Sequence, residues 1–264
     1  DRADGKRGGR ELIRSIMYTI AFYAVGTVFL VGGSWLMLCP RSWAMQVLIQ
    51  HGRVSVWMLE KIAGTKLEVR GREHLPQGAA LIASKHQSTW DTFGLAPLLR
   101  DPSIIMKAEL FWIPFYGWFS AKFGMIFVRR QAGTSALRHM ARDAQDRADA
   151  GRHIIIFPEG TRRAPGAPPA YKPGAVYLYE RLDIPCVPVA LNTGLFWPRR
   201  SFRRYPGAMI VEFLEPIPPG LPRKVFQKRL EAAIEKASDA LLVEAAKSAN
   251  PPPIPEEARQ RLGV

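Results

Sequence analysis

Residues 79–91 have the sequence AALIASKHQSTWD and contain the pattern that decides the fold. The apolar run 79–83 is short enough to be a buried strand. Ser88 and Asp91 follow it with the spacing of a capping box, which predicts that a helix begins soon after the strand ends. A strand that leads into a helix in this way is the repeating unit of an α/β domain.

The same alternation continues along the chain and predicts a layered domain. Short apolar runs predict strands at 66–70, 79–83, 103–106, 125–128, 153–157, 187–191 and 208–214. Helical patterns fall near 91–99, 134–149, 174–181 and 223–247. The predicted fold class is therefore α/β, a layered mixed sheet flanked by helices.

The N-terminal region has a different composition. Residues 15–40 contain no charged side chain, and as a helix they would be ~37 Å long, enough for a ~30 Å hydrocarbon core. The run exceeds a signal-peptide apolar region and no A-x-A site follows it, so we expect a retained membrane helix. Residues 41–63 predict an amphipathic helix that lies in the interface or packs back on the first, giving a membrane-associated helical hairpin. A core helix of the soluble domain is the alternative for 41–63.

These patterns divide the chain into three regions. We expect a basic segment with two membrane-associated helices over 1–63, an α/β domain over 64–248, and a Pro-rich tail over 249–264 that is extended or disordered. The five cations among the first 14 residues favour a cytoplasmic start, and a returning hairpin keeps the domain on that side. The two isolated cysteines are predicted to be buried thiols of a reducing compartment. The predicted location is the inner or plasma membrane, with the domain facing the cytoplasm.

The net charge of +14 indicates a polyanionic partner. Residues 196–205, FWPRRSFRRY, interleave aromatic rings with arginines, a pattern that suits either nucleic acid or an anionic membrane surface. The apolar N-terminal helix favours the membrane, and we find no nucleic-acid fold motif in the sequence. We therefore expect anionic membrane lipids as partners and no nucleic acid.

His86 and Asp91 are the candidate catalytic pair. On one regular helix, positions five apart diverge by about 140°, but a cap at Ser88 turns the Asp91 carboxylate back toward His86. An aspartate there can hold one imidazole nitrogen and leave the other to take a proton from a hydroxyl. The alternative is that Asp91 only caps a helix and that His86 is a loop residue.

Other charged side chains follow neighbouring strands. Residues 154–163, IIIFPEGTRR, run from a buried strand into a turn with a carboxylate, a hydroxyl and two guanidiniums, while Lys107 and residues 129–130 follow two further strands. An α/β sheet binds ligands beyond the carboxyl ends of its strands, and the fork of arginine suits a phosphate. The pattern predicts a site in which the cations bind a phosphate and the base activates a hydroxyl. A structural ion pair is the alternative for Glu159 with Arg162.

With these residues identified, the chain resembles the glycerolipid acyltransferases that act on 1-acylglycerol 3-phosphate. That family carries four motifs in order: N-H-x-S-x-x-D, an arginine-bearing motif, F-P-E-G-T-R-S and a V-P-V strand. They are matched here at 85–91, 124–130, 157–162 and 187–189. The match departs from the family at Lys85, where asparagine is usual, and at Arg163, where serine is usual. We expect both departures to alter the charge around the substrate.

The resemblance implies transfer of an acyl chain from acyl-CoA or acyl carrier protein to the sn-2 hydroxyl of lysophosphatidic acid, with no metal and no bound cofactor. It makes His86 the general base and Asp91 the group that orients it. The substrate-binding residues would be Glu159, Gly160, Thr161 and Arg162, with Lys107 and Arg130 as further candidates for the acceptor phosphate. An acyltransferase for another acceptor, a lyso-ornithine lipid or another lysophospholipid, would share these motifs and is the main alternative.

Overall fold

The computed structural model describes residues 2–129 and 133–264, with the side chains of residues 2–7 left undescribed. The α-helices of this part are α1 Arg2–Thr27, α2 Arg41–Met58, α3 Asp91–Gly94, α4 Tyr116–Phe123, α5 Gly133–Asp149, α6 Pro173–Leu182, α7 Thr193–Phe196, α8 Arg223–Ala246 and α9 Glu256–Leu262. The strands are β1 Thr65–Arg70, β2 Ala80–Ser84, β3 Ser103–Lys107, β4 Ile126–Val128, β5 His153–Ile156, β6 Cys186–Leu191 and β7 Gly207–Phe213.

The strands form one mixed sheet in the order β1-β7-β6-β2-β5-β3-β4. Only the β6–β7 pair is antiparallel among these neighbours. Each predicted strand is present with its boundaries shifted by no more than one residue, so the predicted α/β fold is confirmed. The central strands β2, β5 and β6 are buried along their whole length, which explains their continuous apolar sequences.

The sheet brings the predicted motifs to one edge. Strand β2 lies between β5 and β6 and is parallel to both, with Ala83 opposite Ile156 and Ser84 opposite Val189. The carboxyl ends of the three strands therefore lie side by side. The segments that follow them, residues 85–91, 157–163 and 192–193, meet beyond that edge.

The helix after β2 is shorter than predicted. Helix α3 ends at Gly94 and is followed by a short 3₁₀ helix at Ala96–Leu98, where a single helix over 91–99 was expected. Pro97 lacks the backbone N–H that a continuing α-helix needs. A side chain at Gly94 would also collide with the Trp90 ring, because a Cβ there would lie 2.2 Å from the Trp90 Cε2 atom.

The N-terminal helices form an antiparallel hairpin that packs on the domain. The Tyr18 hydroxyl donates to the Ser55 carbonyl at 3.3 Å, and the Phe29 ring contacts the His51 ring. Helix α2 also packs on the 3₁₀ helix, since a Cβ at Gly52 would lie 2.7 Å from the Pro97 ring. Helix α2 therefore packs back on α1, as predicted. It also packs on the α/β domain, as the alternative of a core helix would require.

Two local predictions are wrong. The tail is not wholly extended, because α9 forms within it and buries Ala258 against Gly166. Arg261 fixes α9 by a two-point ion pair with Asp239, at 2.7 and 2.6 Å. Cys39, which was expected to be buried, is half-exposed.

Candidate active site

One of the two hydrogen bonds of the predicted capping box forms in the segment after β2. The Ser88 N–H donates to Asp91 Oδ2 at 2.8 Å, as the box requires. The Ser88 hydroxyl accepts from the Trp90 N–H at 3.2 Å, one residue earlier than in a regular box. The Asp91 side chain is thereby turned back toward the residues that precede the helix.

His86 meets that carboxylate. Its Nδ1 lies 2.9 Å from Asp91 Oδ2, and because an ionised carboxylate only accepts, Nδ1 carries the hydrogen. This tautomer leaves Nε2 as the basic nitrogen. The imidazole stacks on the Phe157 ring with centroids 4.0 Å apart, and 11% of the side chain is exposed. The ring is held on two sides and still reaches the surface.

Asp91 itself is fully buried and its oxygens are satisfied. Besides His86, Oδ2 accepts from the Gln87 N–H at 2.8 Å, and Oδ1 accepts from the Thr193 hydroxyl at 2.6 Å. Hydrogen bonds to an ionised group are stronger than neutral ones. The network therefore stabilises the carboxylate and fixes its orientation toward the imidazole.

Thr193 and Gln87 are functional positions that sequence reasoning missed. Thr193 follows β6, and Gln87 supports it because the Gln87 Oε1 accepts from the Gly194 N–H at 3.1 Å. The V-P-V strand at 187–189 was the available signal, since the residues after a neighbouring parallel strand lie at the same edge of the sheet. Only the strand order, which the sequence did not reveal, shows that β6 adjoins β2.

The turn at 157–163 is attached to the His86 segment. Gly160 takes a left-handed conformation at φ 66°, which closes the turn with its N–H donating to the Phe157 carbonyl at 2.8 Å. The Arg163 N–H donates to the His86 carbonyl at 2.8 Å. The Arg162 guanidinium donates to the Thr89 hydroxyl. The structure therefore brings the predicted phosphate-binding arginine to the candidate base.

Glu159 and Lys85 face the interior and not the surface. Their side chains are 1% and 2% exposed, and Lys85 Nζ donates to Glu159 Oε1 at 3.3 Å. Burial raises the pKa of Glu159, and the Lys85 ammonium opposes that rise. Lys85, which was expected to alter the charge around the substrate, has its ammonium paired beneath the turn. The Arg163 side chain is half-exposed, with its Nε 4.0 Å from the same Glu159 oxygen.

The remaining predicted residues lie farther out. Thr161 is exposed on the turn, and Lys107 is exposed at the end of β3. Strand β3 is two strands from β2, which corresponds to about 10 Å across the sheet. Arg130 lies outside the described residues. Within residues 2–129 and 133–264, no group of three His, Cys, Asp or Glu side chains could hold a metal ion.

The arrangement combines an oriented imidazole with a cation beside it. An acyltransferase family model matches residues 66–192, which include His86, Asp91 and the 157–163 turn. This segment is an acyltransferase domain. Its segments 85–91 and 157–163 lie together at the carboxyl edge of the sheet.

Curated relatives agree with the family. The chain is 36% identical over 159 residues to the 1-acyl-sn-glycerol-3-phosphate acyltransferase of Pseudomonas aeruginosa, covering 60% of this chain and 62% of that protein. It is 30% identical over 169 residues to the human 1-acyl-sn-glycerol-3-phosphate acyltransferase alpha, covering 63% and 60%. The matched part thus spans about three fifths of the length of these relatives.

A solved structure shares the fold. The crystal structure of the 1-acyl-sn-glycerophosphate acyltransferase PlsC from Thermotoga maritima matches 87% of this chain and 96% of its own, with a TM-score of 0.74. The sequence identity is 22%, so the likeness establishes the architecture alone. It covers more of the chain than the 127 residues of the family segment do.

Proposed function

We propose that the protein transfers an acyl chain from acyl-CoA or acyl carrier protein to the sn-2 hydroxyl of 1-acylglycerol 3-phosphate, giving phosphatidic acid. The observation that carries the proposal is the His86–Asp91 contact of 2.9 Å with Arg162 bound to Thr89 in the same segment. His86 can act as a base for a hydroxyl, and Arg162 supplies a cation for a phosphate in the adjoining turn. The names of the relatives support the choice of acceptor.

In this mechanism His86 is the general base. Its Nε2 takes the proton of the sn-2 hydroxyl as that oxygen attacks the thioester carbonyl carbon. The C–S bond then breaks, and the imidazolium returns the proton to the leaving sulfur. Asp91 keeps the ring in the required tautomer and offsets the positive charge that develops on it.

No protein nucleophile is required, because a thioester is already activated. Ser88 agrees with this, since its hydroxyl accepts from the Trp90 N–H just before the helix. Ser88 is also fully buried. Its role in the proposed mechanism is to position Asp91 and not to carry the acyl group.

The acceptor phosphate is assigned to Arg162, with Lys107 and Arg130 as further cations. Arg162 is half-buried and its carbonyl accepts from Arg199 at 2.9 Å, which holds the backbone of the turn. Gly160 and Thr161 shape the turn around the acceptor. We assign Glu159 an indirect part, because its carboxylate lies beneath the turn.

Arg162→Ala is expected to raise the KM for lysophosphatidic acid by about 10-fold or more with a smaller effect on the KM for the acyl donor. A hydrogen bond to a charged group is worth about 1.5–3 kcal/mol, and 1.4 kcal/mol corresponds to 10-fold. Steady-state kinetics with each substrate varied in turn measures the split. Arg181→Ala, on α6 and away from the turn, serves as the control. Equal changes in both KM values would show that Arg162 does not hold the phosphate.

We propose that the hairpin attaches the domain to the inner or plasma membrane on its cytoplasmic side, where anionic lipids are partners. Within the described residues, Gly8–Gly32 is the one helix long and apolar enough to cross a membrane. One face of α1 packs on the domain, where Tyr18 and Phe22 contact the Trp197 ring. The opposite face leaves large apolar side chains exposed, among them Ile13, Ile16 and Ile20. A helix that is apolar on both sides and covered on one is suited to lipid on the other.

Replacing Ile13, Ile16 and Ile20 with asparagine together is expected to weaken binding to anionic vesicles by at least about 100-fold. Each buried isoleucine contributes about 1.5–3 kcal/mol, and none of the three is in the core. Co-sedimentation at ~0.15 M salt measures the change, with Val225→Asn on α8 as a control at an exposed apolar site. Unchanged binding would contradict the assignment of this face, and binding to duplex DNA in place of vesicles would favour nucleic acid.

The function is tested with purified protein, both acyl donors and a panel of lysolipid acceptors, scored by product mass. We expect the highest kcat/KM with lysophosphatidic acid, because Arg162 suits a terminal phosphate. A higher value with a lyso-ornithine lipid or lysophosphatidylglycerol would move the assignment to that acceptor without changing the roles of His86 and Asp91.

A further inference from the structure

Lys85 lies directly after β2, and its side chain points away from the surface into a cluster of polar groups. Its Nζ donates to Glu235 Oε1 at 2.6 Å and to Glu159 Oε1 at 3.3 Å. The ammonium lies 5.9 Å from the centroid of the Tyr171 ring, whose hydroxyl donates to the same Glu235 oxygen at 2.9 Å. One buried ammonium therefore joins the end of β2, the turn at 157–163, the loop before α6 and helix α8.

The cluster contains two carboxylates and two cations, and Lys85 is shared between both carboxylates. One ammonium is within hydrogen-bond distance of two carboxylates, and Arg163 supplies a second cation at 4.0 Å from Glu159. Glu159 Oε2 is buried and has no hydrogen-bond partner among the described residues. Burial raises the pKa of Glu159, Lys85 lowers it, Glu235 raises it, and a backbone bond from Ala170 lowers it. The ionisation of Glu159 therefore depends on Lys85 and Glu235.

Glu159 sits in the centre of the contacts that attach the turn to the base. Two residues before it, the Phe157 ring stacks on the His86 imidazole. Three and four residues after it, Arg162 bonds Thr89 and the Arg163 N–H bonds the His86 carbonyl. The backbone segment that carries Glu159 is therefore attached on both sides to the segment that carries His86.

We propose that Lys85 is a positioning residue for acyl transfer: its ammonium pairs with both Glu159 and Glu235 and so holds the 157–163 turn in register with His86. This inference rests on the proposed function. It also extends the active site to α8, which lies outside the matched segment 66–192. None of these three side chains needs to touch the substrate.

The test is the pH profile of kcat/KM for lysophosphatidic acid. Without the ammonium, buried Glu159 becomes protonated at higher pH, so Lys85→Met is expected to move the acid limb upward by about one pH unit or more. It is also expected to raise the acceptor KM, because Arg162 loses its support. In a Glu159→Gln background the same substitution should cause no further shift, since no carboxylate remains to titrate.

A second variant tests the direction of the shift, because it is expected not to move the acid limb upward. Glu235→Gln removes a negative charge and leaves Lys85 to pair with Glu159 alone, so the acid limb is expected to move downward or stay in place. Glu235 is 22% exposed and Lys85 is 2% exposed, so a substitution at Glu235 is expected to destabilise the fold less than one at Lys85. Lys236→Met, exposed on the same helix, is the matched control and should leave the profile unchanged.

The outcomes separate this inference from the proposed function. The role of Lys85 would be overturned if the kcat/KM profile of Lys85→Met had the same pH dependence as the wild type at lower values. An upward shift of the acid limb in Glu235→Gln would overturn it too. In both cases turnover by the wild-type protein would still support the proposed function. If the wild-type protein itself did not turn over lysophosphatidic acid, the proposed function would be contradicted instead.

Discussion

His86→Ala is expected to lower kcat for acyl transfer by about 10²–10⁴-fold, the usual contribution of a general base. The imidazole is the one group in the described site that has both an orienting carboxylate and access to the surface. Because the side chain contacts Phe157 by stacking and does not bridge helices, its loss should leave folding and vesicle binding intact. Steady-state turnover with lysophosphatidic acid and acyl-CoA measures the effect.

The matched control is His139→Ala, on the exposed face of α5. It should have wild-type turnover. Wild-type turnover by His86→Ala itself would refute the assignment of the base, and a loss of vesicle binding in that variant would mean that the substitution disturbed the fold.

Asp91→Asn is expected to lower kcat by about 10²-fold or more while costing little stability. The amide oxygen can accept from His86 and from the backbone N–H groups of Gln87 and Ser88, and its amide group can donate to the Thr193 hydroxyl. Geometry is then kept and the negative charge is lost. The imidazolium that forms during proton transfer is no longer stabilised.

Asp91→Ala separates geometry from charge. It leaves the buried N–H groups of Gln87 and Ser88 unpaired, at about 1–3 kcal/mol each, so we expect it to lower the free energy of unfolding by several kcal/mol. Thermal or denaturant unfolding of both variants measures the difference. If Asp91→Asn turns over like the wild type, the carboxylate charge has no part in the reaction.

Most of the fold follows from local pattern. The strands were predictable because β2, β5 and β6 are buried on both faces and are therefore continuous apolar runs. The single long helix expected over 91–99 was not correct, because Pro97 lacks the N–H that a continuing α-helix needs, a local signal that the periodic pattern concealed. Helix α9 was missed because the prolines that precede it dominate the composition of the tail.

The sequence indicated which chemical groups form the candidate active site, but it did not indicate which of them are buried or how they pair. The capping spacing of Ser88 and Asp91 indicated that the carboxylate turns back, and the structure agrees. Nothing local indicates that Glu159 lies below the turn or that Lys85, its partner, is shared with Glu235, which lies 76 residues after Glu159 in the sequence. Such pairings depend on the order of strands and on the placement of α8, which sequence spacing alone does not supply.

The most direct test of the central claim is the position of the new ester. Purified protein is incubated with 1-acylglycerol 3-phosphate and an acyl thioester of different chain length, and the product is analysed by tandem mass spectrometry. The account predicts phosphatidic acid with the new chain at sn-2 and release of one free thiol per product. Free fatty acid with no phosphatidic acid, or a new chain on another acceptor only, would contradict it.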